Sequence, residues 1–223
     1  MKTILSFLFI SLFFISVNNL FCQNKKIVDS LLFELKTAKK NTTTDTSIIL
    51  LYIDLGNYYR NISNDTALMY YNNALELAWK KQNKHYQAKA CGYIGLAYRD
   101  INDHDLALEY FRRSLKLRME IKDMKGIAIS YGNIGMVFWN QNITDKALYY
   151  YNKAISISEK LKDKDLLSKY YNNAGSLHWN IGEYNKSIKL FKKCIYIDSL
   201  RNDTFSIANA YAHIGNIHLR KGK

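Results

Sequence analysis

The chain has 223 residues, with 32 Lys+Arg against 19 Asp+Glu, a formal net charge of +13, ten glycines and no proline. A chain of this size fills about one domain, and without proline nothing in it breaks a helix outright. The charge would suit an acidic partner, but the lysines are scattered, as at Lys80-Lys81 and Lys192-Lys193, with no dense basic block of the kind that nucleic acid attracts. They read as solvated helix faces.

Lys2 is followed by an apolar run from Ile4 to Val17, interrupted only by Ser6, Ser11 and Ser16 and closed by Asn18-Asn19. A positive start and a short apolar run are the marks of an export signal, and the run is too short for a confident membrane span. Residues 1–22 are therefore expected to be a signal peptide cut after Cys22, leaving Gln23 first. Acylation of Cys22 is disfavoured because Phe21 before it is not small; an uncleaved anchor is the other alternative. The expected location is the periplasm or the exterior of a Gram-negative cell. Residues 23–46 then hold a short capping helix from Lys25 to Lys40, carrying Ile27, Leu31, Leu32 and Leu35 at helical spacing, and a loop from Asn41 to Thr46 in which Asp45 or Thr46 can cap the next helix.

From Ser47 onward the chain repeats. Glycine recurs at Gly56, Gly95, Gly135, Gly175 and Gly215, at spacings of 39, 40, 40 and 40 residues. Three residues after each comes a ring: Tyr59, Tyr98, Phe138, His178 and His218. One before sits Leu55, Ile94, Ile134, Ala174 or Ile214, and four before sits Tyr52, Cys91, Tyr131, Tyr171 or Tyr211. These offsets share one stripe of a 3.6-residue helix, helix A. A second stripe begins at Ala67, Ala107, Ala147 and Ser187, with a ring four later (Tyr71, Phe111, Tyr151, Phe191) and a small residue three beyond that (Ala74, Ser114, Ala154, Cys194); this is helix B. Polar turns separate A from B, and the shorter first spacing is absorbed in the first of them. Units are expected at 47–85, 86–125, 126–165 and 166–204, with an incomplete fifth at 205–223. That last unit keeps Tyr211, Ile214 and Gly215, which expect a partner helix. It is either the start of a further repeat in a longer protein or, through Phe205 to Leu219, a final solvating helix. A fixed period of this kind means stacked copies of one hairpin, none of which buries its apolar face alone.

Gly-x-x-aromatic followed by Ala, aromatic, Ala resembles the tetratricopeptide repeat, over nearly all of the chain beyond the leader. Three departures stand out: the usual helix-A tryptophan is tyrosine in four copies and Cys91 in one, the proline after helix B is missing, and the period is about 40, not 34. The last two predict longer B helices or longer links. The resemblance implies an all-α, right-handed α-solenoid and a non-enzymatic protein–protein interaction scaffold that binds a peptide or partner helix in the groove lined by its A helices. The alternative is that the repeats are the N-terminal sensor region of a histidine kinase or of a helix-turn-helix regulator, which would meet the membrane only through a region beyond Lys223.

The resemblance places the groove at offsets −6, −3, +1, +4 and +5 from the glycine. There the chain carries Arg60, Arg99, Trp139 and Trp179 at +4, Asn140 and Asn180 at +5, Asn57 at +1 and Asn172 at −3, with Tyr93, Asn133 and Asn173 on the edge at −2. Tryptophan is enriched at binding hot spots, and asparagine offers a peptide backbone both a donor and an acceptor. Gly92 and Gly132 at −3 are expected to let that backbone come close. The competing reading packs Trp139 and Trp179 against the turn of their own hairpin. The family's chaperone-tail clamp uses lysine at −3, which this chain lacks. Cys91 and Cys194 fall on packing stripes of distant helices and are expected to be buried thiols. His178 and His218 take ring positions, and no metal cluster, phosphate loop or catalytic triad appears in the sequence, so no cofactor or metal is expected. The Asn-x-Ser/Thr triplets at Asn41, Asn61, Asn64, Asn142 and Asn202 read as accidental.

Overall fold

The structure is a computed structural model that describes residues 26–39 and 44–221. The expected leader, its cleavage after Cys22, both ends of the Lys25–Lys40 helix and the Asn41 triplet lie outside the described residues. Helix α1 covers residues 26–39, and then come α2 (Asp45–Tyr59), α3 (Asn64–Lys80), α4 (Lys84–Asp100), α5 (His104–Glu120), α6 (Met124–Asn140), α7 (Thr144–Leu161), α8 (Lys164–Asn180), α9 (Tyr184–Ser199) and α10 (Thr204–Lys221). No strand occurs among the described residues. The even-numbered helices from α2 are A helices and the odd-numbered ones from α3 are B helices, so the fold is an all-α solenoid of helical hairpins. The chain divides into two compact units, one ending at Tyr86 and one beginning at Gln87, inside α4.

The long period comes from both helices, not from helix B alone or from the links. Helices α4, α5 and α6 are each 17 residues long, and the links between them are the three residues 101–103 and 121–123. Helix plus link therefore spans 20 residues, and two such spans make the repeat. From α3 onward the links share one device, which the α2–α3 link, residues 60–63, lacks. One residue is left-handed, at Gln82, Asn102, Lys122, Asn142, Lys162, Gly182 and Asn202. This lets the next amide reach back five residues, as Asp103 N does to Tyr98 O and Asp123 N to Arg118 O, both at 2.9 Å. The same third residue then starts the following helix. Carboxylates of Asp103, Asp123, Asp163 and Asp203 accept from the amides of Leu106, Gly126, Leu166 and Ser206 at 2.9 to 3.1 Å. Helix α2 starts differently from expectation. Its cap residue is Thr44, one before Asp45; the Thr44 hydroxyl meets the Ser47 hydroxyl at 2.9 Å and makes no bond to a helix amide.

In the first unit the α2 glycine is pressed against the Tyr71 ring of α3. In the second unit a Cβ added at Gly95 would lie 2.7 Å from the Phe111 ring, at Gly135 3.0 Å from Tyr151 and at Gly175 3.3 Å from Phe191. The small stripe residue thus exists to admit the helix-B ring, as the spacing predicts. One continuous core in this unit runs from Ala107 and Phe111 through Ile134, Tyr151, Tyr170 and Phe191 to Ala210 and Ile217. A second ring ladder, not read from the sequence, lies beside it. The residue before the helix-B ring stacks on the helix-A ring at +3 in the pairs Tyr98–Tyr110 and Phe138–Tyr150, with centroids 5.6 and 5.5 Å apart, and within the first unit Tyr59 and Tyr70 stack in the same way at 5.7 Å. Cys91 and Cys194 are free and buried, and burial pushes their thiols up to about 11 and about 12.

Candidate ligand-binding face of the A helices

In the first unit, Asn57 turns inward. Its Oδ1 accepts the Tyr71 hydroxyl at 2.8 Å, so the side chain is partly committed to its own hairpin. Arg60, one turn on, is half-buried. Beside them α1 and α2 enclose a cleft of about 460 Å³ lined by Phe33, Thr37, Ala38, Leu50, Leu51 and Asp54, which the sequence did not signal.

In the second unit the +4 column is half-buried throughout at Arg99, Trp139 and Trp179. Arg99 lies along α6, with Nη1 2.9 Å from Met136 Sδ, and its guanidinium pairs with Asp100 at 2.6 Å. Met136 and Trp139 are three apart on α6 and so share a face. The Trp139 ring meets Tyr151 edge-on at 6.3 Å. Trp179 meets His213 of α10 at 6.0 Å and lies under the Arg220 guanidinium at 5.1 Å. Both indoles therefore pack on the core with one side and leave part of the ring open. Asn140 and Asn180 are exposed at the helix ends, Tyr93, Asn172 and Asn173 are half-buried, and Asn133 is buried.

The −3 glycines do not face a ligand. Both are buried, and the space before Gly132 is filled by the Tyr170 ring of α8. Gly92 lies 3.6 Å from Ser114 Oγ and 3.8 Å from Arg118 Nη2, measured from where its Cβ would be. The expectation of a close backbone approach there is thus corrected: Gly132 lets the next A helix pack, and Gly92 faces α5 of its own hairpin. The sequence pattern hid this because Tyr170 sits at −5 of its own unit, off the conserved stripe.

Polar atoms of this face are distinctive. Asn173 Nδ2 and Trp179 Nε1 on α8 and His213 Nδ1 on α10 are shielded from water and have no hydrogen-bond partner in the protein. The Tyr151 and Tyr170 hydroxyls are in the same condition. Burial raises the pKa of both; Arg99 works against this at Tyr151 and Arg118 at Tyr170. Arg118, on α5, donates to Gly126 O and, at 3.2 Å, to Ser130 Oγ. Among the described residues no group of His, Cys, Asp and Glu side chains could hold a metal ion, and no helix is long and apolar enough to cross a membrane.

Helical hairpins stacked at a fixed period, with a shared A-helix face, define the class of solenoid repeat proteins, whose extended surfaces hold partners. The tetratricopeptide repeat family model matches residues 47–120 and 126–199, and the chain belongs to that family. No curated protein sequence matches. Among solved structures, BtubC (BKLC) from P. vanneervenii is 17% identical with a TM-score of 0.67, over 81% of this chain and 75% of its own. A Rap protein complexed with Competence and Sporulation Factor is 16% identical with a TM-score of 0.72, over 84% of this chain and 53% of its own. The Rap conjugation gene regulator of plasmid pLS20, in complex with the Phr* peptide, is 15% identical with a TM-score of 0.60, over 76% of this chain and 49% of its own. The chain thus spans about half the length of these two Rap proteins. At these identities the likeness is one of fold.

Proposed function

We propose that this chain is an exported, non-enzymatic scaffold that binds an extended peptide on the A-helix face of its second unit. The observation that carries the reading is the pair of partly open indoles, Trp139 and Trp179, at equivalent places in consecutive repeats, on a face that also carries the half-buried side chains of Arg99, Asn172 and Asn173. A peptide backbone brings a row of carbonyl acceptors, and a burial-tolerant ring anchors it. The peptide held by the pLS20 Rap regulator supports the same use of the fold.

The test is selection of peptides from a displayed library on the immobilised chain, followed by titration of the enriched sequences. The Trp139→Phe/Trp179→Phe double variant keeps a ring against Tyr151 and His213 but loses both indoles. It is expected to bind the selected peptides at least tenfold more weakly, with an unchanged circular-dichroism spectrum. Equal binding by the double variant refutes the reading. The proposed export is checked separately, by N-terminal sequencing of the chain recovered from the periplasm of a Gram-negative host; an intact Met1 would refute processing at Cys22.

A further inference from the structure

Cations that look scattered along the chain are gathered on one surface by the fold. In α5, α7 and α9, positions +2, +5, +6 and +9 from the first small residue of helix B share the side opposite the small–ring–small stripe. They read Glu109, Arg112, Arg113 and Lys116 in α5, Tyr149, Asn152, Lys153 and Ser156 in α7, and Lys189, Lys192, Lys193 and Tyr196 in α9. Lys153 is half-buried and the rest are exposed. Seven of these twelve residues are cations, and Glu109 is the one acid. The other carboxylates of the three helices stand at helix ends or inside. Asp105 and Asp145 lie in first turns, Glu120 and Glu159 close to C-terminal ends, and Asp198 is buried beside Arg201. The same positions of α3, in the first unit, hold Met69, Asn72, Asn73 and Glu76, so the basic face belongs to the second unit.

Rings hold two of the cations without cancelling their charge. Lys153 Nζ lies 5.4 Å from the centre of the Tyr131 ring and 4.9 Å from that of Tyr149, and Lys193 Nζ lies 4.6 Å from that of Tyr171. Arg112, Lys116, Lys189 and Lys192 pair with no carboxylate among the described residues. Consecutive A helices α6, α8 and α10 touch, whereas α5, α7 and α9 do not touch one another. The cationic rows therefore stand more than a helix diameter, about 10 Å, apart, too far for one small anion to bridge.

We infer that the outer face of α5, α7 and α9 docks an extended acidic polysaccharide, a uronate polymer whose carboxylates pair with cations of successive helices. This goes beyond the A-helix groove, which uses other residues. Charge complementarity points to a polyanion, and the composition of the face selects among polyanions. None of the twelve residues is aliphatic, so the face has nothing to sink into a lipid surface. Lysine, which supplies five of the seven cations, is depleted at protein–protein interfaces. A single-stranded nucleic acid needs open rings for its bases. Here Tyr110 and Tyr150, at the margin, are stacked on Tyr98 and Phe138, and Lys153 covers one side of Tyr149.

The test titrates the full chain with oligogalacturonate long enough to span three helices, with its methyl-esterified form, with single-stranded DNA of equal charge, and with vesicles of phosphatidylglycerol and phosphatidylcholine. Saturable binding of the free uronate that weakens with salt is expected, and none of the ester. Affinity should fall about tenfold in Arg112→Gln/Lys116→Gln/Lys189→Gln/Lys192→Gln, since each exposed pair is weak and four are lost together. It should hold in Lys80→Gln/Lys122→Gln/Lys162→Gln/Lys164→Gln, which removes as much charge from exposed lysines elsewhere, and in Trp139→Phe/Trp179→Phe, which disables the groove. No saturable uronate binding, or an equal loss in the two quadruple variants, overturns the inference. So does tighter binding of the DNA or the vesicles than of the uronate.

Discussion

The ring that fills the glycine slot is tyrosine in α3 and α7 and phenylalanine in α5 and α9, and the structure predicts opposite effects for removing the hydroxyl at the two tyrosines. Tyr71 and Tyr151 are both fully buried. The Tyr71 hydroxyl donates to Asn57 Oδ1 at 2.8 Å, whereas the Tyr151 hydroxyl has no partner in the protein. A satisfied buried hydrogen bond contributes about 1 kcal/mol, and an unsatisfied buried polar group costs about 1–3 kcal/mol. Tyr71→Phe also leaves the Asn57 amide oxygen without its donor. Tyr71→Phe is therefore expected to destabilise by about 1–2 kcal/mol, and Tyr151→Phe to stabilise by about 1 kcal/mol. With a urea m-value of about 2 kcal/mol/M, the midpoint falls by about 0.5–1 M in the first variant and rises by about 0.5 M in the second. The assay is equilibrium urea unfolding followed by circular dichroism, with m compared among the three proteins. Shifts of the same sign at unchanged m would refute the reasoning, since they would mean that ring packing and not hydroxyl satisfaction sets the effect.

Three further outcomes follow from the same geometry. Lys122→Gly relieves a left-handed lysine at φ 56° in a link and is expected to raise stability by about 0.5–1 kcal/mol in the same urea assay; a loss would contradict the strain argument. Gly132→Ala forces a methyl into the Tyr170 ring and is expected to destabilise by about 1–3 kcal/mol, while Gly215→Ala, with open space around it, gains helix propensity and stabilises by up to about 1 kcal/mol. Acid should weaken the fold. The Lys125 ammonium, 2.8 Å away, holds Asp163 below the usual carboxylate range, Lys186 and His178 do so for Glu183, and the Ser206 amide and hydroxyl for Asp203. Groups with depressed pKa stabilise fully above their unfolded values, near 4, and lose that contribution as pH falls through the folded ones. Unfolding midpoints should therefore hold from pH 7 to about pH 5 and fall below about pH 4, and Asp163→Asn should flatten the fall; a midpoint that rises on acidification would contradict the assignment.

The sequence by itself determined the local grammar of this protein. Five glycines at intervals of 39 or 40 residues, each with a ring three residues on, specify helix A because only a 3.6-residue helix puts those positions on one stripe, and the small–ring–small pattern specifies helix B and its fit into the glycine slot. Those are contacts within one hairpin, and their period is written in the residues themselves. The contacts between consecutive A helices were decided by tertiary structure alone. Gly132 serves the Tyr170 ring of the next hairpin and not a ligand, because the −5 and −3 positions meet only when two A helices are stacked side by side. The length of the repeat was ambiguous in sequence between longer helices and longer links, and three-residue links with a left-handed centre and an Asx cap resolved it. Trp139 and Trp179 are likewise a matter of depth. Their spacing marks a face, but only the stacking of Tyr151 and His213 against them fixes how much ring remains open.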